Sequence, residues 1–241
     1  MAVIFDCSSS IAMFRKPYTT TSSVSFAFPP PSALAGLISA IIGLNNGADE
    51  DGARADYWDE LSGTQVAVSI LKRTRWLRAA INFWNVKNPQ DNPHTQIKHQ
   101  FVASPRYRVY VKGGVEERLR KKLKEGSFVY TPFLGVAYAI AQIDYLGECQ
   151  DTPVESDSVE VSTVLPWEDE GMELELERCG GVFSELVPFS LKTDRSLIET
   201  IKVLYPADVN RPLCLRKRGG ADLARCSVSG LQDVVAWFPE W

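Results

Sequence analysis

Histidine is scarce in this sequence: only His94 and His99 occur. The five cysteines, Cys7, Cys149, Cys179, Cys214 and Cys226, include no CxxC pair. That spacing argues against a zinc site, and the odd cysteine argues against a disulfide framework, so we read the thiols as reduced and mostly packed. Long apolar runs are missing as well. The longest helix-like one, ALAGLISAIIGL (33–44), falls short of the ~20 residues that a membrane span requires. The opening MAVIFDCSSS places Asp6 within its apolar stretch and has no basic leader, which is the pattern of neither a signal nor a transit peptide. A cytoplasmic protein without a membrane partner is the expectation. No carboxylate pair, Gly-rich phosphate loop, nucleophile elbow or metal cluster rises above background, so neither cofactor nor metal is expected.

What is present is an ordinary globular composition. The 241 residues are 45% apolar, enough for one good core or one core plus a small lobe. The net charge of −4 hides a division along the chain. Between Lys72 and Lys124, fourteen Lys and Arg stand against Asp91, Glu116 and Glu117. Between Glu148 and Glu177 there are eleven acids and no Lys or Arg. The first stretch suits phosphates and the second repels them.

Periodicity places the elements. Val3, Phe5 and Cys7 alternate as in a half-buried strand, and Leu34, Leu37, Ile38, Ile41 and Ile42 recur at helical spacing behind a proline start. TQVAVSILKR and RWLRAAINFWNV predict two strands, with a hairpin as one way to join them; NPQDNPHTQIKHQ predicts a loop or hairpin tip, and RYRVYVK a further strand. VEERLRKKLKE predicts a surface helix, and YTPFLGVAYAIAQIDYLGE a short helix turning into a strand. That order gives an α+β fold, a ferredoxin-like or RRM-like sheet with helices on one face. Residues 1–148 form this domain, and 149–241 a smaller β-rich element.

The stretch 71–112 interleaves cations with aromatics at strand spacing. Opposite Leu77 and Ile81 stand Trp76, Arg78, Asn82 and Trp84; opposite Tyr107 and Val109 stand Arg106, Arg108, Tyr110 and Lys112. Cations neutralise phosphates and flat rings stack on unpaired bases, so single-stranded RNA is the expected ligand, held also by Arg73, Arg75, Lys87, Lys98 and His99. Ahead of the first helix, Arg15, Lys16 and Tyr18 lead to helix N-terminal amides near Ser32 and Ala33. This is either an anion site or a polar surface loop. Gly36, Ala40 and Gly43 form a stripe of small residues that admits close approach of the protein's own sheet or of a neighbouring subunit. Tyr18, Lys98 and His99 also supply the groups for metal-independent RNA cleavage, the alternative to pure binding.

Three segments, VIFDCSSSIAMFRKPYTTTSSVSFAFPPPSALAGLISAIIGL, HTQIKHQFVASPRYRVYVKG and YTPFLGVAYAIAQIDYLG, together resemble the CRISPR-associated Cas-five family, most closely its type I-B branch. That family caps the 5′ handle of CRISPR RNA in type I Cascade complexes. The resemblance implies an RRM-like domain of the RAMP superfamily with a β-hairpin thumb at about 73–100. It also implies contacts to the Cascade backbone subunit through the thumb and to the large subunit, and to target DNA only indirectly. The type I-B likeness implies no catalysis. PPPSAL stands where many relatives have Pro-Pro-Arg-Thr, which removes one cation from the turn.

Overall fold

A computed structural model describes residues 1–19, 22–47, 54–86, 90, 93–167, 171–217, 223–228 and 230–241. The central sheet takes β1 (Ala2–Ser8), β2 (Thr64–Ile70), β5 (Arg106–Gly113) and β6 (Gln142–Cys149) in the antiparallel order β6-β1-β5-β2. Helix α1 (Pro31–Ile42) follows β1 and α2 (Glu116–Glu125) follows β5. This βαββαβ order is the ferredoxin-like arrangement that the periodicity predicted. Between β2 and β5 the chain leaves the sheet as a long hairpin, β3 (Trp76–Trp84) and β4 (His94–Ala103), paired from Trp76 with Val102 to Trp84 with His94.

The pleat divides the sheet into two buried faces. Val3, Phe5, Val66, Val68, Tyr107, Val109 and Val111 point to one side, where the apolar stripe of α1 and Leu119 and Leu123 of α2 cover them. α1 begins at Pro31 behind the N-cap Pro30, and Pro31, having no N–H, leaves one fewer orphan donor at the first turn. It ends at Gly43, φ 82°, where an added Cβ would stand 2.7 Å from Val129, so only glycine closes this cap.

The β-rich remainder after Cys149 joins this core. The hairpin of β7 (Val182–Leu191) and β8 (Leu197–Pro206) contributes Val187, Phe189, Val203 and Tyr205 to the helical side. A second hairpin, β9 (Leu223–Val228) and β10 (Leu231–Ala236), lies over the opposite face and packs Ala224, Cys226, Val228 and Val235 on Ala2, Ile4, Ala67 and Tyr110. All five cysteines are buried and free.

Two expectations are corrected. β2 and β3 do not form a hairpin: β2 pairs β5, and the partner of β3 is β4, which begins inside the stretch 88–100 expected to be a loop or hairpin tip. That segment lacks the composition of a strand because it is a protruding ribbon with little core to fill, and polar residues such as Gln96 and Lys98 are exposed on it. The segment 130–141 contains no helix; Pro132 and Gly135 break the pattern, and Gly135, φ 83°, lies where a Cβ would meet the Met13 carbonyl oxygen at 2.1 Å.

Candidate nucleic-acid interface

The cations on the central sheet are already engaged. Asp6, 1% exposed, accepts hydrogen bonds from Arg106 (Nη2 to Oδ2, 3.0 Å) and Arg108 (Nε to Oδ1, 2.8 Å). Arg108 also meets Asp233 of β10 at 3.3 Å, and the Tyr110 hydroxyl donates to Asp233 at 2.7 Å. Burial opposes the charge of Arg108, but the bonds to Asp6 and the charges of Asp6 and Asp233 outweigh it and raise its pKa. Lys112 pairs with Asp151 and lies over the Trp237 ring. The expected RNA-facing side of the sheet is therefore closed by the C-terminal hairpin. Arg108 is a structural ion there, and Arg106 is tied to the same carboxylate although its side chain stays 44% exposed.

The basic helix is partnered in part: Arg118 pairs with Glu60, and Arg120 and Lys124 with Glu148. A hydrogen bond from Lys124 leads the causes that hold Glu148 down to about 2. By contrast Lys72, Arg73, Arg75, Arg78 and Lys98 are exposed and form no ion pair with a described carboxylate. The charge surplus read from the sequence thus splits in two, and most of its cations without an ion pair to a described carboxylate lie on the thumb or at its start, with Lys121 and Lys122 left on α2.

Cross-strand pairing assigns the thumb's two faces. Arg78 lies opposite Gln100, Ala80 opposite Lys98 and Asn82 opposite Gln96, so Trp76, Arg78, Asn82, Trp84 and Lys98 share one face. Gln96 Nε2 donates to Asn82 Oδ1 at 3.1 Å, and the Trp84 ring stands 4.6 Å from that of His94. The other face carries Leu77, Ile81, Phe83, Ile97 and His99. At the thumb's root Ser22 and Ser23 run parallel to Lys98 and His99, and with Arg78 and Gln100 they line a groove of about 470 Å³. Lys87 lies outside the described residues.

The turn before α1 behaves less simply. Arg15 is exposed and donates to the Thr19 carbonyl at 3.0 Å, and Tyr18 is exposed. Lys16 is not free: it pairs with Glu185 of β7 and lies over the Phe26 ring. At the start of α1 the Ala33 amide already donates to the Pro30 carbonyl at 2.8 Å, so the expected pair of open amides is reduced, and Ser32 is half-buried.

For RNA cleavage the geometry is unfavourable. Lys98 and His99 are consecutive in β4 and point to opposite faces. His99 is buried, donates from Nδ1 to the Ile97 carbonyl at 3.0 Å, and stacks on Phe101 with Phe83 beside it.

The family described as CRISPR-associated protein (Cas_Cas5) matches residues 2–202. The chain belongs to the CRISPR-associated Cas-five family. Solved structures agree at the level of fold. One described as a CRISPR RNA-guided surveillance complex has TM-score 0.56 at 13% identity, covering 86% of this chain and 90% of that one. A CRISPR protein from Archaeoglobus fulgidus has TM-score 0.54 at 15% identity, covering 98% and 99%. A Type III-B Cmr-beta bound to cognate target RNA and AMPPnP has TM-score 0.54 at 12%, covering 89% and 86%. Among curated proteins nothing matches.

In this Cas-five protein, sequence reasoning took Ser22 and Ser23 only as part of the hydroxyl run after Tyr18, and it passed over Gln100, whose only signal was its polarity, and Asp233. Asp6 did carry a signal: a lone carboxylate in an apolar strand requires a buried cation. Among the described residues no group of His, Cys, Asp or Glu has the arrangement of a metal site, and no helix is long and apolar enough to cross a membrane.

Proposed function

We propose that the chain is a non-catalytic RNA-holding subunit of a type I Cascade assembly that caps the 5′ handle of the CRISPR RNA. The observation that carries this reading is the thumb face on which Arg78 and Lys98 stand with Trp76 and Trp84, continuous with the serine-lined groove at its root. Free cations there neutralise backbone phosphates, and the tryptophans offer ring faces to unpaired bases. Arg73 and Arg75 at the start of the thumb, and Arg15 and Tyr18 in the turn, extend the same exposed set. The opposite, apolar thumb face suits the backbone subunit; Leu77 and Phe83 remain 45% and 43% exposed. Neighbouring subunits, the large one included, anchor on this protein, and target DNA meets it only through the assembly. The separation of Lys98 from His99 favours binding over cleavage.

Trp84→Ala and Trp76→Ala each weaken single-stranded RNA binding by about 1–3 kcal/mol, read by filter binding. Trp84 is 71% exposed, so its replacement leaves thermal stability unchanged. The reading as a whole is tested by purifying the assembly from its host and sequencing the bound RNA. A common 5′ end is expected, and RNA with random ends, or none, overturns the reading. Repeat RNA incubated with the protein in EDTA stays intact; a specific cut that is lost in His99→Ala would replace binding with nuclease activity.

A further inference from the structure

A second groove, sharing no residue with the one at the thumb, runs along the outer side of α1. Its floor is Ala33, Gly36 and Ala40, and its volume is about 650 Å³. One wall is Tyr130 and Phe133, 52% and 43% exposed; the other is Tyr57 and Arg195. A Cβ built on Gly36 meets no atom within 4 Å, so this part of the small-residue stripe opens outward, whereas Gly43 at its end is closed by Val129. Ser39 lines the same groove. It is 4% exposed, and its hydroxyl has no hydrogen-bond partner. A buried hydroxyl left without a partner is costly, which points to a ligand that completes it.

The lining selects the ligand's class. The floor and one wall are apolar or aromatic, and Arg195, the one cation among the described lining residues, already donates from Nη2 to the Asn46 carbonyl at 2.8 Å. A phosphate chain finds no cluster of charge here. Protein does. A floor of small residues three and four apart lets a second helix approach closely, and three turns of α1, roughly 16 Å at 1.5 Å per residue, match a helix of about eleven residues.

Charge sets its direction. Arg195 stands beside Asn46, just past the C-terminus of α1, where the helix carries its partial negative charge. An antiparallel helix would bring its own N-terminus to this end, where its partial positive charge offsets that of α1. Acidic residues, favoured in a first turn, then meet the guanidinium. We infer that this groove seats one α-helix of a partner protein subunit, antiparallel to α1, with an acidic residue of its first turn on Arg195 and a polar group on Ser39.

The inference does not rest on the thumb's binding RNA, and the test keeps the two apart. The assembly is co-expressed with this chain tagged and carrying benzoylphenylalanine in place of Ala40, then irradiated and digested. The expected crosslink joins position 40 to a helical segment of another subunit whose N-terminal turn is acidic. In the unlabelled assembly, Gly36→Leu, which fills open space, and Arg195→Glu each release that one subunit in native mass spectrometry, with affinity lowered at least tenfold. The melting temperature of Gly36→Leu and the RNA content of the assembly stay unchanged. A crosslink to RNA or to a second copy of this chain overturns the inference, as does full retention of every subunit by Gly36→Leu.

Discussion

Replacing Arg73, Arg75, Arg78 and Lys98 together by glutamine lowers single-stranded RNA affinity by about two orders of magnitude at physiological salt and flattens its salt dependence. Each phosphate neutralised on a single strand contributes a slope of about −0.7 in log K against log salt, so four contacts contribute about −2.8. These four are chosen because no described carboxylate holds them, and two of them share a face with Trp76 and Trp84. Lys121→Gln with Lys122→Gln is the control. Those side chains belong to α2, whose other cations are held by Glu60 and Glu148. A titration of both variants between 50 and 300 mM salt decides the matter. An equal loss of slope per charge removed in both would mean diffuse polyelectrolyte attraction and would remove the thumb from its special role.

The contrast between those cations and the ones on the central sheet marks the limit of what sequence patterning revealed. Alternation assigned Tyr107, Val109 and Val111 to the core and Arg106, Arg108, Tyr110 and Lys112 to the other side, and the sheet follows that division. Period two tells which residues share a face; it is silent on what covers the face. The cover is β9 and β10, more than a hundred residues downstream, and it brings Asp233 to Arg108 and Tyr110. Long-range pairing of this kind leaves no local trace except the isolated Asp6. The thumb shows the opposite case. Leu77, Ala79, Ile81 and Phe83 do share a face, yet the strand is a projecting ribbon, so its apolar face is only partly covered and β4 lost its strand signature. α1 was fully legible, because a helix of Leu34, Leu37, Ile38, Ile41 and Ile42 behind prolines states both its start and its buried side.

The second large effect is on stability. Asp6→Ala destabilises the fold by about 3–5 kcal/mol, because it strands a buried guanidinium instead of removing a pair. Arg108, whose side chain is 12% exposed, keeps only Asp233 at 3.3 Å; Arg106, 44% exposed, turns to water and adds little to the loss. Urea unfolding measures the difference. Pairing Asp6→Ala with Arg108→Met recovers most of it, since the charge that suffers desolvation is gone and an apolar chain of similar length occupies the position between Asp6 and Ser69 on the neighbouring strands. A loss below 1 kcal/mol for Asp6→Ala would mean that the carboxylate is not what compensates the burial of Arg108. The same double variant also separates structure from recognition. If Arg108 acts only within the fold, the repaired protein binds RNA with an unaltered salt slope. A slope shallower by a full phosphate contact would return Arg108 to the RNA surface, which would require β9 and β10 to lift from the sheet in the bound state.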